Sequence, residues 1–363
     1  MTTLAEDAPA QLPWPRRHRL VVMAGVGLVA LLMALLGCSI GDVRIALADV
    51  ARVLGSALGL SQVAEENRAL YEVVIFEIRL PRVVLGLVVG GVLAIAGASM
   101  QGLFRNPLAD PGLIGVSAGA ACGALLFMVF GAEWFLSVGI TERWGLPLFA
   151  IAGAILTTFT IYSLSLVEGR SHVATLLLTG LAVNALAGAF VGFLVFSATD
   201  EQIRSFTFWT LGSLAQADWP LIGVGVPIML GLLVLLLVFS HGLNALLLGE
   251  AEAHHLGLNV QRLKRALILL SAGAVAITVS LCGIIGFVGL IVPHLVRLTL
   301  GPDHRFLLPT ASLLGGALLL AADLVARNCA GPAELPVGVV TAAIGAPFFL
   351  FLLHQAKRHT AAA

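Results

Sequence analysis

The chain has 363 residues, 59% of them apolar and 11% charged, with a mean hydropathy of +1.02. One soluble core cannot hide that much apolar side chain, so lipid must solvate a large part of the surface. Twenty basic and twenty acidic residues cancel, and this balance points to neither nucleic acid nor an acidic macromolecule as partner.

Taken in chain order, ten apolar stretches are long enough, or nearly so, to cross about 30 Å of hydrocarbon at ~1.5 Å per residue. They run over 20–36, 83–100, 113–130, 146–164, 176–196, 221–239, 266–281, 286–300, 307–325 and 337–353. The predicted fold is an all-α polytopic membrane protein, with a single permease domain over 20–355 between short tails at 1–19 and 356–363. Residues 35–38, LLGC, imitate a lipoprotein cleavage site, but the preceding stretch spans and more spans follow. A long connection, 41–82, follows the first span. In the second, Gly86, Gly90, Ala94 and Ala98 recur every four residues; in the fifth, Gly180, Gly188 and Gly192 surround Asn184. Small residues at that spacing let helices approach closely in lipid, and an intramembrane asparagine is a candidate for a wet pathway. Pro107, Pro111, Pro293 and Pro347 kink or end spans. Between the sixth and seventh spans, 241–265 reads as short amphipathic helices broken at Gly257, a shape suited to docking on a partner.

Ten spans put both termini on one side. If that side is cytoplasmic, it holds Arg16, Arg17, Arg19, Arg105, Arg170, Arg262, Lys264, Arg265, Arg297, Arg305, Lys357 and Arg358 of the twenty basic residues. Five of the others lie in the one long loop after the first span. The positive-inside rule therefore predicts cytoplasmic termini.

Across the ten predicted cores the only acidic residue is Asp323, with Arg327 four residues on as its expected partner. An ion-coupled secondary transporter needs carboxylates or broken helices around an ion near the midplane, so this scarcity argues against one. No phosphate loop of the form GxxxxGK[ST] is present, and neither of the two lysines follows a glycine. Energy must come from a separate polypeptide, and no nucleophile, base or metal cluster points to an enzyme. The nine histidines fall in or beside predicted cytoplasmic segments, and the four cysteines form no CxxC. A chelate whose metal is already coordinated would need no such ligands.

Longer motifs carry a resemblance. RLPR at 79–82, GASMQGLFRNPLADPGLIGVSAG at 97–119, the loop from Gly249 to Gly257, residues 283–293, DLVAR at 323–327 and ELPVGVVTAAIGAPF at 334–348 resemble the permeases of bacterial siderophore, haem and cobalamin importers. The resemblance covers about residues 20 to 355. It implies the type II ABC importer permease bundle of ten helices in the inner membrane, paired with a second copy. Two cytoplasmic ATPase subunits would bind it and consume ATP with Mg, and a periplasmic binding protein would deliver cargo; the chain itself would hold no cofactor. By the same resemblance Arg79, Arg82 and Arg327 are outer-mouth arginines that meet carboxylates on the binding protein. Glu250, Ala253, Leu256 and Gly257 belong to the ATPase-docking loop. Asn106, Pro107 and Leu108 narrow the pathway at its cytoplasmic end. His172 and Val173 stand at a second constriction, where they depart from the small hydroxyl residues of cobalamin permeases. The 101–115 motif is most similar to haem permeases, with cobalamin and siderophore relatives sharing parts of it.

Overall fold

Each of the ten apolar windows becomes a helix in the computed structural model, which describes residues 15–57, 59, 68–131, 142–329 and 334–362. In chain order the helices are α1 (Arg16–Ser39), α2 (Leu47–Ala57), α3 (Arg68–Glu72), α4 (Leu80–Phe104), α5 (Val116–Leu126), α6 (Glu142–Leu164), α7 (Val173–Ser197), α8 (Asp200–Thr210), α9 (Trp219–Val238), α10 (Ser240–Leu248), α11 (Glu250–His255), α12 (Val260–Cys282), α13 (Val288–Leu300), α14 (His304–Cys329) and α15 (Val337–Ala362). A two-stranded antiparallel hairpin, β1 (Leu166–Val167) and β2 (Arg170–Ser171), precedes α7. Among the described residues seven helices meet the length and hydropathy of a membrane span. Three shorter apolar helices, Val116–Gly131, Val288–Leu300 and Val337–Phe351, complete the ten expected spans. Most of the N-terminal tail, 1–14, lies outside the described residues.

α4 is the hub. Its best apolar window is 83% buried, against 11% for α1 and for α7. The small residues read from the sequence explain how neighbours reach it. A Cβ on Gly90 would strike the backbone carbonyl of Gly315 on α14, and one on Gly97 the carbonyl of Gly289 on α13. Backbones this close gain dispersion contacts along their whole length, which is the available drive where lipid competes for apolar side chains. Gln101, buried on the same helix, donates to the carbonyls of Gly289 (3.3 Å) and Leu290 (3.2 Å) and accepts from Arg297 (3.0 Å), pinning α13 to α4.

The connection at 41–82 departs from a plain loop. Residues Arg68–Phe104 form one continuous helical rod, with a π-helical stretch at Val73–Arg79 joining α3 to α4. Glu72, Glu77, Arg79 and Arg82 lower the hydropathy of this stretch, yet its apolar face still packs: Val74 and Ile75 join Cys38, Ile45, Val50, Val53, Val83 and Leu320 in a satellite core. Residues 58 and 60–67 lie outside the described residues.

At the opposite end of the bundle, where α11 lies, Asp303 gathers three elements. It accepts from Arg19 of α1 (3.1 Å), from Asn244 of α10 (2.7 Å) and from the N–H of Arg305 (3.1 Å). Partial burial alone would raise its pKa, but the Asn244 hydrogen bond, the Arg305 N–H and the charges of Arg19 and Arg305 together hold it below the ordinary carboxylate value. The stabilisation is therefore complete above the unfolded value of about 4 and is lost as pH falls through the lower folded value. In thermal melts from pH 7 to 3, Asp303→Asn is expected to flatten the acid limb; an unchanged acid limb would remove this residue from the account.

Candidate functional site

Functional groups concentrate at the two ends of this apolar bundle. At the α11 end, two glycines isolate a six-residue helix. Gly249 (φ +121) and Gly257 (φ +85) flank α11 in backbone conformations that L-residues rarely adopt. Ala253 is fully buried and seats α11 on the bundle, while Leu248 and Leu256 stand exposed at 63% and 64%. Asn259 then caps α12 by accepting the Arg262 N–H (3.0 Å). The break at Gly257 is thus as expected, and the segment is helical almost throughout. Beside it opens a cleft of about 640 Å³ lined by Arg170, Glu250, His254, Gly257, Asn259 and Gln261. Glu250 reaches Lys264 of α12 at 2.6 Å.

Asn106, Pro107 and Leu108 are exposed just beyond α4. The chain turns there because Arg105 is left-handed (φ +49) and the Asn106 side chain accepts the Leu108 N–H (2.9 Å). A 3-10 turn, Pro111–Ile114, follows, capped by the Asp110 carboxylate on the Gly112 N–H (2.7 Å). Asn184 of α7 donates to the Gly112 carbonyl (3.4 Å), and its Oδ1 is buried without a partner. Asn184 therefore braces the turn that follows Asn106–Leu108. His172 is the exposed N-cap of α7, and Val173 is half-buried; both lie beside Leu103 and Phe104, the last residues of α4. These sequence-predicted positions come together around the α4–α5 connection and the start of α7.

At the α2 end the side chains of Arg79, Arg82 and Arg327 are little exposed. Arg79 is buried and donates to the carbonyls of Cys38 (2.8 Å), Ser39 (3.0 Å) and Val43. Arg82, also buried, holds Asp323 at 2.8 Å and Glu334 at 2.9 Å. Arg327 pairs with Asp323 at 3.1 Å and donates to the Gly37 carbonyl (3.3 Å). Asp323 is 1% exposed, so Arg82 and Arg327 share one buried carboxylate, and the exposed member of the network is Glu334. Spacing revealed the Asp323–Arg327 pair, four residues apart on one helix. It could not reveal Arg82–Asp323, Arg82–Glu334, Glu250–Lys264 or Gln101–Arg297, whose partners meet only through tertiary packing. Among the described residues no group of three or more His, Cys, Asp or Glu could hold a metal ion.

Comparison with known proteins places these ends in context. The sequence profile of the FecCD transport family matches residues 28–355. The hemin transport system permease HmuU of Yersinia pestis is 47% identical over 278 residues, covering 76% of this chain and 81% of that one. A cobalamin import permease, BtuC of Halobacterium salinarum, is 47% identical over 284 residues, covering 78% and 74%. A solved structure described as a metal-chelate type ABC transporter in an inward-facing conformation superposes with a TM-score of 0.80 at 33% identity, over 93% of this chain and 99% of that one.

Proposed function

Because this chain belongs to the FecCD transport family, as an ABC importer permease, we propose that it carries haem across the bacterial inner membrane, with both termini in the cytoplasm. A periplasmic binding protein hands over the haem, and two copies of the permease sit on two ATPase subunits that bind ATP and Mg. The permease contributes no catalysis of its own. The observation that carries the reading is the open face of α7. Leu178, Leu181, Leu186, Phe190, Phe193 and Phe196 are exposed there, and a Cβ on Gly188 or Gly192 would meet nothing within 4 Å. Glycines on an unpacked face leave room for a second backbone, and an aromatic-rich apolar wall suits a flat, largely apolar macrocycle. The similarity to a hemin permease supports the same cargo.

In this reading the exposed Leu248 and Leu256, the His254 side chain and the cleft at Glu250 form the ATPase-docking surface, with Ala253 and Gly257 setting the pose of α11. Asn106, Pro107, Leu108, His172 and Val173 form the constriction at that end, and Asn184 braces it. The binding protein docks at the α2 end, which Arg79, Arg82 and Arg327 organise; there the exposed Glu334 is the carboxylate that a partner's can replace on Arg82.

The test is reconstitution of permease, ATPase and binding protein in liposomes. Hydrolysis and uptake are expected to respond to haem-loaded binding protein and not to cobalamin or ferric siderophore. The equal identity to a cobalamin permease makes cobalamin the second reading, and a response to cobalamin alone would replace the first.

A further inference from the structure

Lys264 stands where four pieces of the bundle meet. Its side chain, on the first turns of α12, is only 4% exposed and lies 2.6 Å from the carboxylate of Glu250, the first residue of α11. The same ammonium donates to the carbonyl of Ser171, the last residue of the hairpin (3.4 Å). Gln261, one turn earlier on the same face of α12, accepts from both the N–H (3.1 Å) and the hydroxyl (3.2 Å) of Ser171. His172 and Val173 follow at once and open α7, and Leu103 and Phe104 at the end of α4 line one small cavity with the lysine. The cavity left among these groups is about 10 Å³, hardly room for one water.

A short helix between two left-handed glycines can swing. Besides the Ala253 contact, Glu250–Lys264 ties α11 to α12, and among the described residues it is the ion pair that does so; the ammonium that makes it also holds the hairpin. A buried ammonium is expensive to strand, so its partners tend to move with it rather than away from it.

We infer that Lys264 is the transmission residue of this importer: it locks the partner-facing helix α11 to the hairpin that begins α7. A displacement of α11 by the ATPase is then passed to α7 and the end of α4 instead of being absorbed in the joints at Gly249 and Gly257. This is a positioning role and rests on the reading of α11 as the ATPase-docking helix.

The experiment compares ATP hydrolysed per haem taken up in the reconstituted complex of permease, ATPase and binding protein. The wild-type complex tests the functional reading itself: absence of any haem-stimulated hydrolysis there sinks that reading, not the role of Lys264. Lys264→Met is expected to co-purify with the ATPase and sustain hydrolysis, while uptake per ATP falls roughly tenfold. Lys264→Glu should behave likewise, and Lys264→Glu combined with Glu250→Lys should recover part of the coupling, which a simple packing defect would not. If Lys264→Met fails to fold, Lys264→Gln, which keeps a donor for Ser171 without the charge, takes the same measurement. Wild-type coupling in the neutral variant, or no recovery in a charge-swapped pair that still co-purifies with the ATPase at wild-type yield, overturns the proposal.

Discussion

Asp323→Ala is expected to destabilise the purified permease by about 3–5 kcal/mol, the range for removing one partner of a buried ion pair. The size follows from what remains: Arg82 is buried and the Arg327 side chain is only 8% exposed, and each loses the carboxylate that Asp323 supplies at 2.8 and 3.1 Å. Arg82 retains Glu334, so the orphaned charge is chiefly Arg327. The double variant Asp323→Ala with Arg327→Ala should therefore melt higher than Asp323→Ala alone, because the stranded cation leaves with its partner. Thermal melts of the three proteins in one detergent decide it. Equal melting of single and double variants would mean that the network is solvated and the pairing adds little.

Gly97→Leu is expected to prevent the bundle from closing. A Cβ at this position already runs into the backbone carbonyl of Gly289, and Gly90 faces that of Gly315 in the same way. Flexible side chains can move aside, but a helix backbone held by its own hydrogen bonds cannot, so α13 must back away from α4. Overpacking in an adaptable core costs ~1–3 kcal/mol; this substitution should lie at or beyond the upper end, with Gly97→Ala milder in the same direction. Retreat of α13 also breaks the Gln101 bonds to Gly289 and Leu290. The fraction of monodisperse protein after extraction and its melting temperature measure the effect, with Gly25→Ala on α1, where a Cβ would meet nothing within 4 Å, as the control. Wild-type behaviour of Gly97→Ala would contradict the close approach of α4 and α13.

The parts of the site that the sequence made legible share a local logic. The α11 segment was readable because its glycine break and apolar residues recur within a few positions. Asp323 and Arg327 were readable because four residues on a helix is a fixed distance. The arginines at the α2 end illustrate the limit. The stretch 72–82 reads as part of a long connection, yet Arg79 is buried on the carbonyls of Cys38, Ser39 and Val43, and Arg82 is buried on Asp323 of α14, while Glu77 stays exposed. Asn184 illustrates it again: an intramembrane amide reads as a pathway residue, while its bond to the Gly112 carbonyl depends on how a 3-10 turn settles against α7.

Composition and hydropathy alone determined that this chain lives in lipid as about ten helices, because the free energy of transferring an apolar segment is a sum over its own residues. Motif strings determined the family for the same reason, being contiguous. Which charges are buried together, which glycines carry a neighbouring backbone, and which face of α7 stays open were decided only by tertiary packing. Those properties belong to pairs of distant segments: Arg82 and Asp323 are separated by 241 residues, and no one-dimensional period records which carboxylate will meet a guanidinium that packing has taken out of water.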